Sequence, residues 1–163
     1  MYHSYQIRRA SQNDAETIAR HRAFMFHEMG AVSERERDTL LNTSALWIQQ
    51  ELTEERYIGW LALDPEQVIG GAGIHLRSLP PGPHCLKGGR WGHIVNVYTE
   101  PEHRRRGIAR QLMIEVLGWC ASQTLDQVTL TASDQGRPLY EALGFVATPD
   151  MCLPRHRPSR SET

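Results

Sequence analysis

His103-Arg104-Arg105-Arg106-Gly107-Ile108-Ala109-Arg110 is the stretch on which the reading of this chain turns. The apolar, β-branched run Ile94-Val95-Asn96-Val97-Tyr98-Thr99 and then Pro101 precede it, and a helix-like segment, Ala109 to Ala121, follows. A strand, a short loop ending in Gly-x-small and a helix bring free backbone N–H groups together at a helix N-terminus. Such a point is an anion site, strongest for a phosphate or pyrophosphate. Gly107 lets the backbone approach the ligand with no Cβ in the way, and small Ala109 keeps the first turn uncrowded. The flanking arginines add diffuse positive charge. The run is neither a Walker loop, lacking Gly-Lys-Ser/Thr, nor a Gly-x-Gly-x-x-Gly fingerprint. Three consecutive arginines also suit a solvated face or a nucleic-acid patch. The formal charge of −1 leaves no basic surplus for the latter, so no nucleic-acid partner is expected.

Outward from the loop, the chain reads as alternating elements. Tyr5 to Arg8 is a short first strand, and Ser11 is an N-cap with Asp14 at the capping-box position. The helix it opens carries Ala15, Ile18, Ala19, Arg22, Ala23 and Phe26 at helical spacing and ends by Gly30. A second helix is predicted over Asp38 to Leu52, with Leu41, Ala45, Ile48 and Leu52 on one stripe. Tyr57 to Leu63 and Val68 to Leu76 form a strand pair across the turn residues 64–67. Leu79-Pro80-Pro81-Gly82-Pro83 starts a loop that runs to Gly89. Trp91 to Thr99 is the next strand, and Ile108 to Gln123 a helix with Ile108, Leu112, Met113, Val116 and Cys120 inward. Val128 to Thr131 is a buried strand, Gly136 to Leu143 a short helix closed by Gly144, and Phe145 to Ala147 a final strand. This order fits an α/β domain with one mixed sheet covered on both faces.

The bulk numbers set the class. At 163 residues the chain has room for a single core, and 40% hydrophobic with 23% charged residues is ordinary globular composition. No apolar stretch approaches a transmembrane length of about 18 residues, and Met1 to Tyr5 has no apolar core of a signal peptide. Cys85, Cys120 and Cys152 are odd in number and far apart, which argues against a disulfide framework or a zinc knuckle. His21 and His27 lack the i, i+4 spacing of a helical metal pair. A cytoplasmic protein with no metal and no membrane partner is the expectation.

The Arg104-x-x-Gly107-x-Ala109 run resembles the Arg/Gln-x-x-Gly-x-Gly/Ala signature of the GNAT superfamily, the acyl-CoA-dependent N-acyltransferases. Leu139-Tyr140-Glu141-Ala142-Leu143-Gly144-Phe145 resembles the family's Leu-Tyr-x-x-x-Gly-Phe segment, in the order the family has it. The resemblance covers roughly Ile7 to Leu153. It implies a GNAT-like mixed sheet of about six to seven strands with helices on both faces and a single domain over residues 1–153; the polar, Pro/Arg/Ser-rich stretch 154–163 reads as a flexible tail from its composition. The resemblance also implies acetyl-CoA as co-substrate and a small-molecule or peptide amine as acceptor. Many relatives dimerise, and nothing in the sequence decides whether this chain is a homodimer.

Site residues follow from the same resemblance. The loop Arg104, Arg105, Arg106, Gly107, Ile108, Ala109 and Arg110 would hold the pyrophosphate. Backbone groups of Val97, Tyr98 and Thr99 would pair with the pantetheine arm where two parallel strands splay, and a free N–H there can polarise the thioester carbonyl. Tyr140 matches the tyrosine credited with protonating the departing sulfur; with an ordinary pKa of about 10 it holds its proton at neutral pH. Its bland reading is packing against the sheet or the cofactor arm. Ser133 stands where many relatives carry an asparagine that bonds the cofactor arm, a departure that weakens that contact without removing it.

For the base, an ungapped alignment puts His93 where histone-modifying relatives carry a glutamate. Strand alternation places 91, 93, 95 and 97 on one face, and an imidazole of pKa about 6.5 suits proton removal at neutral pH. The competing reading is a strand histidine satisfied by a neighbour. Glu28 and His27 are second-choice bases or acceptor contacts. Trp47 and Trp60 are expected in the core, and Trp91 in the acceptor pocket. The acidic Glu34, Glu36 and Asp38 hint at a cationic acceptor, but they alternate with Arg35 and Arg37 as a solvated helix start does. The leading function is acetyl transfer to a primary amine; the alternative is a non-catalytic acyl-CoA sensor or interaction module on the same fold.

Overall fold

Burial on both faces gives the central strands their near-continuous apolar character, and pairing sets their order. The computed structural model describes residues 5–154, which fall into two units, the first ending at Thr131 and the second beginning at Ala132. The strands are β1 Gln6–Arg9, β2 Tyr57–Asp64, β3 Gln67–Leu79, β4 Gly89–Thr99 and β5 Gln127–Leu130, and they lie side by side in that order. The first three pairings are antiparallel, whereas β4 and β5 are parallel, so the sheet is mixed. A parallel pair needs a crossover, here the helix α3 Ile108–Ser122.

Among the described residues the strands number five, fewer than the six to seven expected. Phe145–Ala147, the sixth by sequence, lies in no strand. The Phe145 N–H goes to the Tyr140 carbonyl at 3.0 Å and the Gly144 N–H to Glu141 at 3.0 Å. With Gly144 at φ 94, this is the paired closure that ends a helix. Val146 is 82% exposed, so the short apolar run has no ladder and no core to make it a strand. The closed helix is α4 Arg137–Ala142, in the second unit. Most of the expected tail, residues 155–163, lies outside the described residues.

The two faces of the sheet can be told apart at the glycines of β3. A Cβ on Gly70 would meet Ile108 of α3, while one on Gly71 would meet His21 of α1 Ala15–Glu28. The α3 side buries Ile108, Leu112, Met113, Val116 and Cys120, the predicted stripe. On it Trp60 meets Trp119 edge-on, with the Arg9 guanidinium over the Trp60 ring. The opposite side is built from α1 and α2 Glu34–Thr53: Ala15, Ile18, Ala19, Ile48, Tyr57 and Leu61 form its core, with Val95 packed against them.

Capping decides where the first two helices start. The Ser11 N–H donates to the Asp14 carboxylate at 2.7 Å ahead of α1, and Arg8 holds the same carboxyl down at about 2 by hydrogen bonding. Helix α2 begins a turn earlier than Asp38, because Ser33 and Glu36 form a capping box. The acidic cluster is thereby explained: Glu36 accepts from Ser33, and Glu34 and Asp38 pair with Arg37.

Candidate active site

The loop between β4 and α3 has the backbone its sequence requires. Gly107 is the N-cap of α3 at φ 78, and Arg105 is also left-handed at φ 64. A Cβ on Gly107 would meet nothing within 4 Å, so that side of the loop is open. The first intrahelical bond is from the Gln111 N–H to the Gly107 carbonyl, 3.0 Å. The N–H groups of Ile108, Ala109 and Arg110 therefore point out of the helix end, where its dipole favours an anion.

The arginines divide their work. Arg104 donates from Nε to the Thr99 carbonyl at 2.9 Å and pairs with Glu28 at 2.6 Å, its guanidinium over the Tyr98 ring. It thereby ties the loop to β4 and α1. Arg106 donates to the Glu102 carbonyl at 3.1 Å. Arg105 and Arg110 pair with no carboxylate among the described residues and keep their charge for solvent or ligand.

Strand β4 departs from regular alternation in its second half. Gly71 pairs with Tyr98 and Gly73 with Val95, which leaves Ala72 alone opposite Asn96 and Val97. This is a β-bulge, and Asn96 takes it at φ 57, a left-handed conformation that asparagine tolerates better than most residues. The bulge shifts the faces. Val95 packs on the α1 core and Tyr98, rather than Val97, meets His21 of α1 with ring centroids 5.0 Å apart. Pairing to β5 covers only Trp91 to Ile94. Past Ile94 that edge of β4 has no strand beside it among the described residues, and its backbone groups can bond an extended ligand arm.

Asn96 is also the centre of a buried polar chain. Its Oδ1 accepts from Arg22 Nη1 at 2.9 Å, and its Nδ2 donates to the Tyr57 hydroxyl at 3.1 Å. That hydroxyl lies where a Cβ on Gly73 would be, so only glycine admits it. Burial pushes the Tyr57 pKa up to about 12.

His93 and Trp91 share one face, as expected, and both bind Thr129 of β5. Trp91 Nε1 donates to the Thr129 hydroxyl at 2.8 Å, and His93 Nδ1 lies 2.8 Å from the same oxygen. The hydroxyl oxygen has two lone pairs, enough to accept from both rings, which leaves His93 Nε2 for a substrate. Burial first, then the charges of Arg77 and His75, push the His93 pKa below its ordinary value and favour the neutral ring.

Beside it on β3, His75 accepts from Arg77 Nε at Nδ1, 3.1 Å, and its Nε2 bonds Glu51, 2.7 Å. Glu51 is held ionised by Arg56. Trp47 is 42% exposed and lies over His75, so it is not a core residue; Trp60 is. Neither Asn96, Thr129 nor His75 stands out in the sequence, because a bulge and cross-strand partners arise from pairing. An asparagine inside a β-branched run was the one available signal.

Glu28, at the end of α1, accepts from the Tyr98 hydroxyl at 3.1 Å as well as from Arg104. Burial and the carboxylates of Glu28 and Glu100 push Tyr98 up to about 12. With both oxygens engaged, Glu28 has the surroundings of an anchor more than of a free base. His27 Nδ1 lies 3.1 Å from the Val32 carbonyl.

In the second unit, the Tyr140 ring meets Phe145 edge-on, and burial pushes its pKa up, which keeps the hydroxyl protonated. The Ser133 hydroxyl accepts the Gly136 N–H at 3.1 Å ahead of α4 and keeps its own proton to donate. Among the described residues no three His, Cys, Asp or Glu side chains gather as a metal site. No described helix is long and apolar enough to cross a membrane.

Similarity to known proteins agrees with this geometry. The chain is 30% identical over 82 residues to a glucosamine 6-phosphate N-acetyltransferase of Trypanosoma brucei brucei, covering 50% of this chain and 52% of that one. It spans about half the length of the curated relatives it matches. It superposes with a TM-score of 0.85 on a GCN5-related N-acetyltransferase from Ralstonia eutropha JMP134, at 28% identity over 93% of this chain and 99% of that one. The fold is also that of a predicted acetyltransferase with acetyl-CoA from Clostridium acetobutylicum, with a TM-score of 0.83 at 24% identity over 93% and 96% of the two chains. The model of the Acetyltransferase (GNAT) family matches residues 18–145, and the chain belongs to that family.

Proposed function

We propose that the protein transfers an acetyl group from acetyl-CoA directly to a primary amine. One observation carries the reading: β4 loses its β5 partner after Ile94, bulges at Asn96 and then delivers the left-handed Gly107 at the start of α3. An open strand edge that leads to an open helix N-terminus fits an extended amide-bearing arm ending in a pyrophosphate.

The residues present fit acetyl-CoA. First-turn N–H groups of α3, with Arg105 and Arg110, would hold its phosphates, and the β4 edge at Val97, Tyr98 and Thr99 its arm. When bound, it supplies an activated acyl carbon and a thiolate leaving group. His93 Nε2 takes a proton from the acceptor ammonium, and the ring's depressed pKa keeps it neutral and ready. Tyr140, its proton retained by burial, gives that proton to the departing sulfur. Ser133 donates to the arm. Trp91 shapes the acceptor side beside His93.

The test is thiol release from acetyl-CoA with a panel of primary amines, with products identified by mass spectrometry. Amine-dependent release and an acetylated product support the reading. Binding of acetyl-CoA with no amine-dependent release would make the protein a sensor.

A further inference from the structure

We propose that Arg22 is an anion-binding residue of the acceptor site, so that the amine acceptor carries a carboxylate or phosphate group. The inference rests on the transferase reading above and deepens it.

Arg22 lies on α1 and is partly buried, on the sheet face that also carries His93 and Val95. Its Nη1 bonds the Asn96 side chain at the bulge, and its guanidinium lies over the Phe26 ring at 4.9 Å. Four other arginines of this unit have acids: Arg8 has Asp14, Arg20 has Glu100, Arg56 has Glu51 and Arg104 has Glu28, whereas Arg9 lies over the Trp60 ring on the opposite side of the sheet. Arg22 has none among the described residues, and only Nη1 donates to an acceptor there. Burial works against its charge. A partly buried guanidinium with no counter-ion and free N–H groups is a ready partner for an anion.

Position supplies the rest. Arg22 meets the Asn96 side chain on β4, three residues beyond His93. An acceptor with its amine at His93 and an anion at Arg22 would lie along this stretch of the α1 side of the sheet. The planar fork of an arginine suits either carboxylate or phosphate.

The experiment uses acceptor pairs that differ only in the anion: glycine against glycinamide, and glucosamine 6-phosphate against glucosamine. Wild type, Arg22→Lys and Arg22→Met are compared by kcat/KM on both members of each pair. The anionic member of at least one pair is expected to be favoured about tenfold or more, mainly through KM. The pair that shows it tells carboxylate from phosphate. In Arg22→Met the ratio falls toward one, and Arg22→Lys keeps part of it. A merely structural arginine would lower both members together and leave the ratio standing, which overturns the proposal. So do wild-type ratios near one in both pairs. Should Arg22→Met not fold, acetate and inorganic phosphate are added to the wild type. Competition with the neutral acceptor supports the site, and its absence overturns it. No thiol release with any acceptor and no acetyl-CoA binding would overturn the transferase reading, and the anion site with it. Turnover without anion preference overturns the anion site alone.

Discussion

At the scale of single residues, the chemistry depends on where protons are held. As the proposed base, His93 must be neutral, and its surroundings lower its pKa. With Nδ1 turned to Thr129, Nε2 is the nitrogen the proposal assigns to the acceptor. The rate should therefore rise with pH through one ionisation that lies below the ordinary imidazole value, and level off above it. His93→Ala should cut kcat/KM by about 10²-fold and flatten that limb. A pH profile unchanged in His93→Ala but flattened in Glu28→Gln would move the base to α1. The proposal gives Tyr140 the opposite duty, and burial helps it keep its proton. Tyr140→Phe should lower kcat by about 10²-fold with acetyl-CoA affinity nearly intact, read by steady-state kinetics and calorimetry. Full turnover, with chemistry shown to be rate-limiting, would reduce Tyr140 to packing.

At the scale of elements, the bulge in β4 is the feature on which the site geometry hangs. Asn96 takes a left-handed backbone and bonds both Arg22 and Tyr57 from inside the sheet. Asn96→Val should destabilise the fold by about 2–4 kcal/mol, through a β-branched residue at positive φ and two buried groups left unpaired. Asn96→Gly keeps the backbone and should cost less. Urea denaturation measures both, and a valine variant as stable as the wild type would contradict the bulge's role. The bulge also marks how far the sequence could be read. The loop 103–110 and the inward stripe of α3 were legible because both are local: a turn chemistry and a helical period. The alternation 91, 93, 95, 97 failed at its last member because an extra residue in a strand appears only on pairing. The start of α2 was missed although Ser33 and Glu36 have capping-box spacing, since the charged first turn hid the helical pattern. Phe145–Ala147 has strand composition but spends its first N–H on closing α4. Trp47 has core chemistry, yet α2 turns it outward over His75.

At the scale of the whole molecule, the anion loop is assembled from parts far apart in the chain. Arg104 joins the Thr99 carbonyl of β4 and Glu28 of α1, and Glu28 also holds Tyr98. Arg20, next to buried His21 on α1, pairs with Glu100 at the end of β4. Helix α1 thus fixes the β4 end and the loop beyond it, while α3 supplies the open N–H groups. The loop is placed by the fold, and its function should be separable from stability. Gly107 tests this, because a Cβ there would meet nothing and the position faces the proposed phosphates. Gly107→Glu adds bulk and negative charge there at a strain of about 1 kcal/mol for the left-handed backbone. The deciding measurement is calorimetric titration of acetyl-CoA into the wild type and into Gly107→Glu shown by circular dichroism to be folded. The wild type should bind, and the variant should bind more than tenfold more weakly, a loss of at least about 1.4 kcal/mol. Equal affinities in the two folded proteins would contradict the assignment of the loop as the acetyl-CoA site.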